Sequence, residues 1–318
     1  MSYPIIDGHC DTIRLFELNK KDYSFTKKNN AGHIDLPRLQ AGGVKLQVFA
    51  LYIEEEFKPV GSLKRALMLL DLLRKNLEPC CKEITFIYSR ADLEKLVCSN
   101  KIGALISIEG GEALEGEVAV LRMFFRLGVR GLGLTWNQEN QLATGVGNGV
   151  GGRGLTRLGR RVIKEMNRLG MLVDLAHINE KGYFDALETS SKPVIVSHAN
   201  SRALCPHERN LSDDQLKALA AAGGVIGLSF CPDFVDQKRA TIQRLLDHFV
   251  HVADVAGVDH LGFGSDFDGI EDVIPGLEDA SALPGLVEGL SRRGFDAHEI
   301  DKITSKNFLR VFADNLPA

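Results

Sequence analysis

Five stretches of the chain set histidine or carboxylate side chains directly after short apolar runs. They are Asp7-Gly8-His9-Cys10-Asp11, Ser107-Ile108-Glu109-Gly110-Gly111, Val173-Asp174-Leu175-Ala176-His177, Ile195-Val196-Ser197-His198 and Gly262-Phe263-Gly264-Ser265-Asp266-Phe267-Asp268-Gly269. Imidazole nitrogen and carboxylate oxygen suit zinc and related divalent cations. In extended backbone, residues two apart point to the same side, so His9 and Asp11 can share a face while Cys10 points away. His9, His177, His198, Asp11, Glu109 and Asp266 are too many ligands for one tetrahedral ion. They suit two ions about 3.5–4 Å apart bridged by a carboxylate. Glu109 is the natural bridge, because its segment lies between the His9/Asp11 pair and the His177/His198 pair. Such a pair of ions can activate a water molecule for hydrolysis. Taken singly, each residue has a plainer reading as a hydrogen-bonded histidine or a loop acid, and Asp7 and Asp174 are left in that class. Repetition of the same chemistry at five strand ends favours the metal.

The elements that must position these groups follow from hydrophobic period. Strand-like runs fall at Pro4–Ile6, Leu46–Ile53, Gly103–Ile108, Gly131–Thr135, Met171–Leu175, Val194–Ser197, Val225–Phe230 and Leu261–Gly264. Helical patterns lie between them. Ser62–Asn76 sets Leu63, Leu67, Leu70 and Leu73 on one face, and Thr156–Leu169 repeats Leu158, Val162, Met166 and Leu169. Ser212–Ala222 opens with a Ser212/Gln215 capping box, and Thr241–Ala256 and Asp296–Asp314 complete the set. Eight strands, each followed by helical material with no linker, predict a single α/β domain over residues 1–318, a (β/α)8 TIM barrel. In that fold the C-terminal strand ends converge on one face. The alternative, a Rossmann-like sheet with a small extra domain, lacks a GxGxxG after any strand.

Bulk properties narrow the function. The 318 residues carry 38 Lys and Arg against 42 Asp and Glu, a net charge of −4, which argues against a nucleic-acid partner. Apolar runs are too short to span a bilayer. The opening MSYPIIDGHCD has neither the basic start nor the apolar core of a signal peptide, so a cytoplasmic protein with no membrane partner is expected. The six cysteines, Cys10, Cys80, Cys81, Cys98, Cys205 and Cys231, form no CxxC and read as reduced, mostly structural thiols. His33, His248, His251, His260 and His298 lie away from strand ends and read as surface or structural residues.

The motifs DGHCDT, SIEGGEAL, GLTWNQEN, LVDLAHIN, PVIVSHANSRAL, RNLSDDQLKAL and LGFGSDFDGI, running in that order from residue 7 to residue 270, resemble those of the membrane (renal) dipeptidase family of the amidohydrolase superfamily, in a bacterial-type, unanchored form. The resemblance implies a zinc-dependent metallopeptidase that splits dipeptides with a hydroxide bridging two zinc ions. It implies His9 and Asp11 on one zinc, His177 and His198 on the second, and Glu109 between them. Arg209 then corresponds to the arginine that grips the substrate carboxylate, and Asp266 to the acid that shuttles the proton of the bridging water. Residue facing alone leaves Asp266 and Asp268 equivalent. The resemblance also allows a homodimer. At Trp136 the better-known animal members carry a substrate-contacting histidine; an indole can donate one hydrogen bond but cannot take up a proton or a positive charge. Trp136 is therefore a substrate-binding candidate that shifts oxyanion stabilisation toward the metals. Cys231 falls, in a loose alignment, where a substrate-contacting tyrosine is expected.

The glycine-rich stretch Thr144–Leu155 lacks the GK[ST] ending of a phosphate-binding loop. It reads either as a mobile flap over the site, presenting Arg153, or as a plain surface loop. Three other functions stay open: hydrolysis of another small amide, a lactam or an ester; a non-catalytic binding or regulatory barrel; and a phosphate-binding barrel using GFGSDFDG as a backbone nest, where two acids would repel the anion.

Overall fold

The computed structural model describes residues 3–18, 22–148 and 152–318. Its strands are β1 (Ile5–Cys10), β2 (Val44–Tyr52), β3 (Ile84–Phe86), β4 (Ile102–Glu109), β5 (Val129–Gly133), β6 (Leu172–Asp174), β7 (Ile195–Ala199), β8 (Val225–Leu228) and β9 (Leu261–Phe263). All but β3 follow one another in the order β2-β1-β9-β8-β7-β6-β5-β4, and β4 closes the ring by pairing with β2 from Gly103 to Glu109. Every pairing between strands is parallel, which gives the expected (β/α)8 barrel. β3 pairs only with Ile102–Ala104, ahead of the point where β5 joins β4, and so lies outside the ring. Unlike the equally short β6 and β9, which are buried throughout, β3 buries only Ile84 fully, so no continuous apolar run marks it in the sequence.

Helices follow the strands and are capped by their own sequences. Thr156, Asn179, Ser212 and Thr241 each accept a backbone N–H of the first turn, and the Ser212/Gln215 capping box forms. Helix Ser62–Leu77 buries Ala66, Leu69, Leu70, Leu73 and Leu77, whereas Leu67 is 41% exposed. That corrects the expected stripe: Leu67 sits roughly 110° around the helix from the centre of the buried face. The expected single helix over Asp296–Asp314 is instead Ala297–Asp301 and Asn307–Asn315, joined by a π-turn over Lys302–Lys306. There the hydroxyls of Thr304 and Ser305 donate back to the Asp301 carbonyl. Phe308, Val311 and Phe312 of the last helix then pack with Ile6, Leu46, Leu172, Ile195 and Val225. These residues lie at or near the starts of their strands, so the last helix stoppers the bottom of the barrel and leaves the opposite end free for chemistry. Among the described residues no helix is long and apolar enough to cross a membrane.

Just below that free end the strands approach closely. A Cβ on Gly264 would stand 1.9 Å from the Ser197 carbonyl oxygen, and one on Gly227 would stand 2.3 Å from the same atom. Both contacts are with backbone, which cannot swing aside. Gly264→Ala is therefore expected to destabilise the fold by about 3 kcal/mol, read as a lowered thermal midpoint. An unchanged midpoint would show that β7 and β9 can part at no cost.

Candidate metal centre

The strands deliver their chemistry through local irregularity. The β1–β2 register shifts between Asp7 and Cys10, around His9, and the β7–β8 register shifts between Val196 and Ala199, around His198. Such shifts re-aim a side chain that regular alternation would point elsewhere. His177 lies beyond the end of β6 with φ of 67°. Its carbonyl accepts the N–H of Val146, and the carbonyl of Thr144 accepts the N–H of Asn179. The start of the glycine-rich stretch is thus a scaffold for His177. The centre of that stretch, residues 149–151, lies outside the described residues. Arg153 is exposed and pairs with Glu139 at 3.6 Å, away from the catalytic pocket.

Glu109 stands at the centre. Its Oε2 is 3.7 Å from His9 Nε2, while its Oε1 is 2.8 Å from His177 Nε2 and 3.6 Å from His198 Nε2. Asp11 Oδ2 lies 3.2 Å from His9 Nε2, and Asp266 Oδ1 lies 3.9 Å from it. Three buried triads have donor atoms within 4.8 Å of one another: His9/Asp11/Glu109, Glu109/His177/His198 and His9/His198/Asp266. The donor set passes two tests for a cation. Asp11 Oδ1 is buried with no hydrogen-bond partner among the described residues. The second test is the approach of His177 Nε2 to His198 Nε2 at 2.9 Å. Asn137 Oδ1, an acceptor, lies 2.7 Å from His177 Nδ1, so that nitrogen carries the hydrogen and Nε2 keeps its lone pair. The free lone pair of His177 Nε2 faces Glu109 Oε1 at 2.8 Å, so an imidazole nitrogen and a carboxylate oxygen are turned toward each other as joint ligands of a cation.

Charge points the same way. Burial pushes His177 and His198 well below the usual imidazole range, so both are neutral donors at pH 7. Burial likewise pushes Glu109 up to about 8 and Asp266 up to about 6, with the Asp11 carboxylate adding to both. At His9 burial opposes the charge, but the carboxylates of Glu109, Asp11 and Asp266 together outweigh it and hold the imidazolium up to about 10. Bound metal would neutralise the surplus of negative charge that raises these groups and would release protons from the site.

Around this centre, Asp7 accepts from Ser265 N–H, Ser265 Oγ and Gln47, and Asp174 accepts from the N–H groups of Ala176 and Ser197. Both acids shape backbone beneath the site. Asp266 and Asp268 part company. Asp266 lines the pocket, whereas Asp268 accepts from Thr12 Oγ1 at 2.6 Å and from the His33 N–H at 2.6 Å. The expectation that they face alike fails because β9 ends at Phe263 and both aspartates take φ of 66°.

The centre forms the floor of a pocket of about 610 Å³ whose wall includes Tyr52, Trp136, His207, Arg209 and Cys231. Arg209 is buried, and one of its terminal nitrogens donates to the His198 carbonyl at 3.1 Å. Burial, and next the Asp266 carboxylate, push the Cys231 thiol up to about 12, so it is neutral. The Trp136 ring lies 5.8 Å from that of His177 and 5.3 Å from that of Tyr52. Lys58 Nζ stands 5.0 Å from the Trp136 ring centre and 5.4 Å from that of Tyr52. A positive charge is thus set behind the indole from another loop. The strand-end pattern misses Asn137, Ser197, Tyr52, Lys58 and His207. Asn137 and Ser197 had a signal as direct neighbours of Trp136 and His198, and Tyr52 as the penultimate residue of the run Leu46–Ile53, whereas Lys58 and His207 had none.

Comparison with known proteins bears on this geometry. The sequence pattern of the membrane dipeptidases (peptidase family M19) matches residues 1–316. Dipeptidase tcpJ of Claviceps purpurea is 34% identical over 323 residues, covering 97% of this chain and 76% of that protein. The crystal structure of dipeptidase AC, a metallopeptidase of family M19, superposes with a TM-score of 0.94 at 29% identity over 100% of both chains. A metallopeptidase from Rhodobacter sphaeroides, liganded with a phosphinate mimic of the dipeptide L-Ala-D-Ala, superposes with a TM-score of 0.91 at 28% identity over 99% of this chain and 100% of that one.

Proposed function

The chain belongs to the membrane dipeptidase family, peptidase family M19, and from that premise we propose that it is a binuclear zinc dipeptidase acting through one barrel domain over residues 1–318. The observation that carries the reading is the split of Glu109, one oxygen toward His9 and the other toward His177 and His198. His9 and Asp11 would hold one ion, His177 and His198 the other, and Glu109 both. When bound, two divalent ions would supply Lewis acidity to the scissile carbonyl and lower the pKa of a coordinated water from about 15.7 to about 7.

The remaining chemistry belongs to the chain. Asp266, which lines the pocket 3.9 Å from His9 Nε2, would take the proton of the attacking water and hand it to the leaving amine. Arg209 grips the free carboxylate of the substrate. Its Nε is buried without a partner among the described residues, and its bond to the His198 carbonyl fixes the guanidinium before substrate arrives. Binding is thereby converted into orientation of the scissile bond. Trp136 walls the pocket beside His177. The mimic of L-Ala-D-Ala bound by the Rhodobacter sphaeroides protein supports acceptance of a D-residue at the second position.

The test is elemental analysis of the purified protein followed by a dipeptide panel with L- and D-residues at the second position. Zinc at two equivalents per chain is expected, with hydrolysis abolished by a chelator and restored by zinc. Hydrolysis of amides, lactams or esters in place of dipeptides would transfer the site to a different amidohydrolase reaction. No hydrolysis after zinc, manganese or cobalt is supplied would leave a binding barrel.

A further inference from the structure

His207 lies on the loop after β7, two residues before Arg209. The backbone N–H of Arg209 donates to His207 Nδ1 at 3.1 Å. A backbone N–H can only donate, so Nδ1 keeps a lone pair and the neutral ring carries its hydrogen on Nε2. Burial, and next the charge of Arg209, lower the basicity of the ring and favour that neutral form. The His207 ring packs on Phe234 with centroids 4.7 Å apart, and the Arg209 guanidinium carbon stands 5.4 Å from the centre of the same ring. His207 and Arg209 therefore share one aromatic plate in the pocket wall. Among the described residues no group accepts a hydrogen bond from His207 Nε2, and Arg209 Nε has no partner either. His207 and Glu208 also form the partition between the catalytic pocket and a neighbouring cleft of about 990 Å³.

We propose that His207 is a substrate-binding residue whose Nε2–H donates to the free carboxylate of the dipeptide beside Arg209. The inference rests on the dipeptidase reading above and extends it. A guanidinium alone holds a carboxylate but lets it rock about the shared axis. A second donor approaching from a different direction fixes the carboxylate plane and, with it, the line of the amide toward Glu109.

The experiment measures Kd by calorimetry on the zinc-loaded full chain, using a phosphinate dipeptide mimic with a free carboxylate and the same mimic as its carboxamide. His207→Asn keeps an acceptor near the Nδ1 position for the Arg209 N–H and removes the Nε2 donor. His207→Gln returns a donor near the Nε2 position. His207→Asn is expected to weaken the carboxylate mimic about 10-fold and the carboxamide less than about 2-fold, with His207→Gln within about 3-fold of the parent. Unchanged affinity in His207→Asn, or equal weakening of both mimics, overturns the proposal. Arg209→Ala, run alongside, separates the layers. If it discriminates between the mimics while His207→Asn does not, the His207 assignment alone falls. If the parent protein binds neither mimic, the dipeptide reading falls and takes this one with it.

Discussion

Glu109→Gln is expected to lower kcat/KM for dipeptides by at least about 1,000-fold, equivalent to about 4 kcal/mol of barrier, and to leave the purified chain with one metal equivalent or none. The two carboxylate oxygens face two separate histidine sets, at 3.7 Å on one side and 2.8 and 3.6 Å on the other. An amide keeps the shape but offers one oxygen and turns N–H donors toward the second ion. Stability of the metal-free fold should move little. In the metal-free fold burial holds Glu109 at about 8 against an ordinary 4.5. Between those values the folded state keeps a proton that the unfolded chain has lost, so stability falls as pH rises through that window. His9, held up to about 10, acts in the same direction above its ordinary 6.5. Glutamine has nothing to titrate. Glutamine also gives up the attraction that the Glu109 carboxylate exerts on the His9 charge, so the two effects oppose each other and the chelated variant should melt close to the chelated parent at pH 8, which separates lost chemistry from lost folding. Full activity with two metals bound would remove Glu109 from the bridge, and a chelated variant that melts well below its parent would make the loss structural.

The barrel and the core of the site were legible because the two signals reinforce each other. Apolar runs such as Val194–Ser197 mark where strands lie, and the polar residues that follow them mark the ends the fold gathers. What escaped the sequence lies where backbone leaves regular geometry. Of the four described non-glycine residues with positive φ, His177, Asp266 and Asp268 belong to the site or its support. A period of two has no meaning for residues in that conformation, so it could not separate Asp266 from Asp268. His207 and Lys58 are loop residues whose partners, Phe234 and Trp136, are distant in sequence and carry no repeat. The π-turn at Lys302–Lys306 hides behind an ordinary amphipathic pattern, since Ile303, Phe308, Val311 and Phe312 are apolar in either geometry.

Asp266→Asn should cut kcat by about 1,000-fold while leaving KM and metal content near those of the parent. The pocket is built to keep this carboxylate close to the centre. A Cβ on Gly269 would stand 2.2 Å from Asp11 Oδ2 and 2.7 Å from Asp266 Oδ1, so only glycine there lets both acids approach. Asparagine preserves that shape but cannot accept and return a proton. The triad His9/His198/Asp266 offers a rival role, direct ligation, and metal content decides between them: a proton shuttle leaves occupancy intact, whereas a ligand loses it. The pH profile adds a second reading. Burial raises Asp266 to about 6 in the cation-free pocket, and positive charge beside it favours the ionised form. The parent should therefore lose kcat as pH falls through a limb at or below about 6, because the base must be ionised to take the proton. That limb should be missing from Asp266→Asn. Asp268→Asn is the control, since its carboxylate serves Thr12 and the His33 N–H. It should lower the thermal midpoint, with kcat retained in the protein that remains folded. An equal loss of kcat in both variants would show that the two aspartates act on structure rather than on the transferred proton.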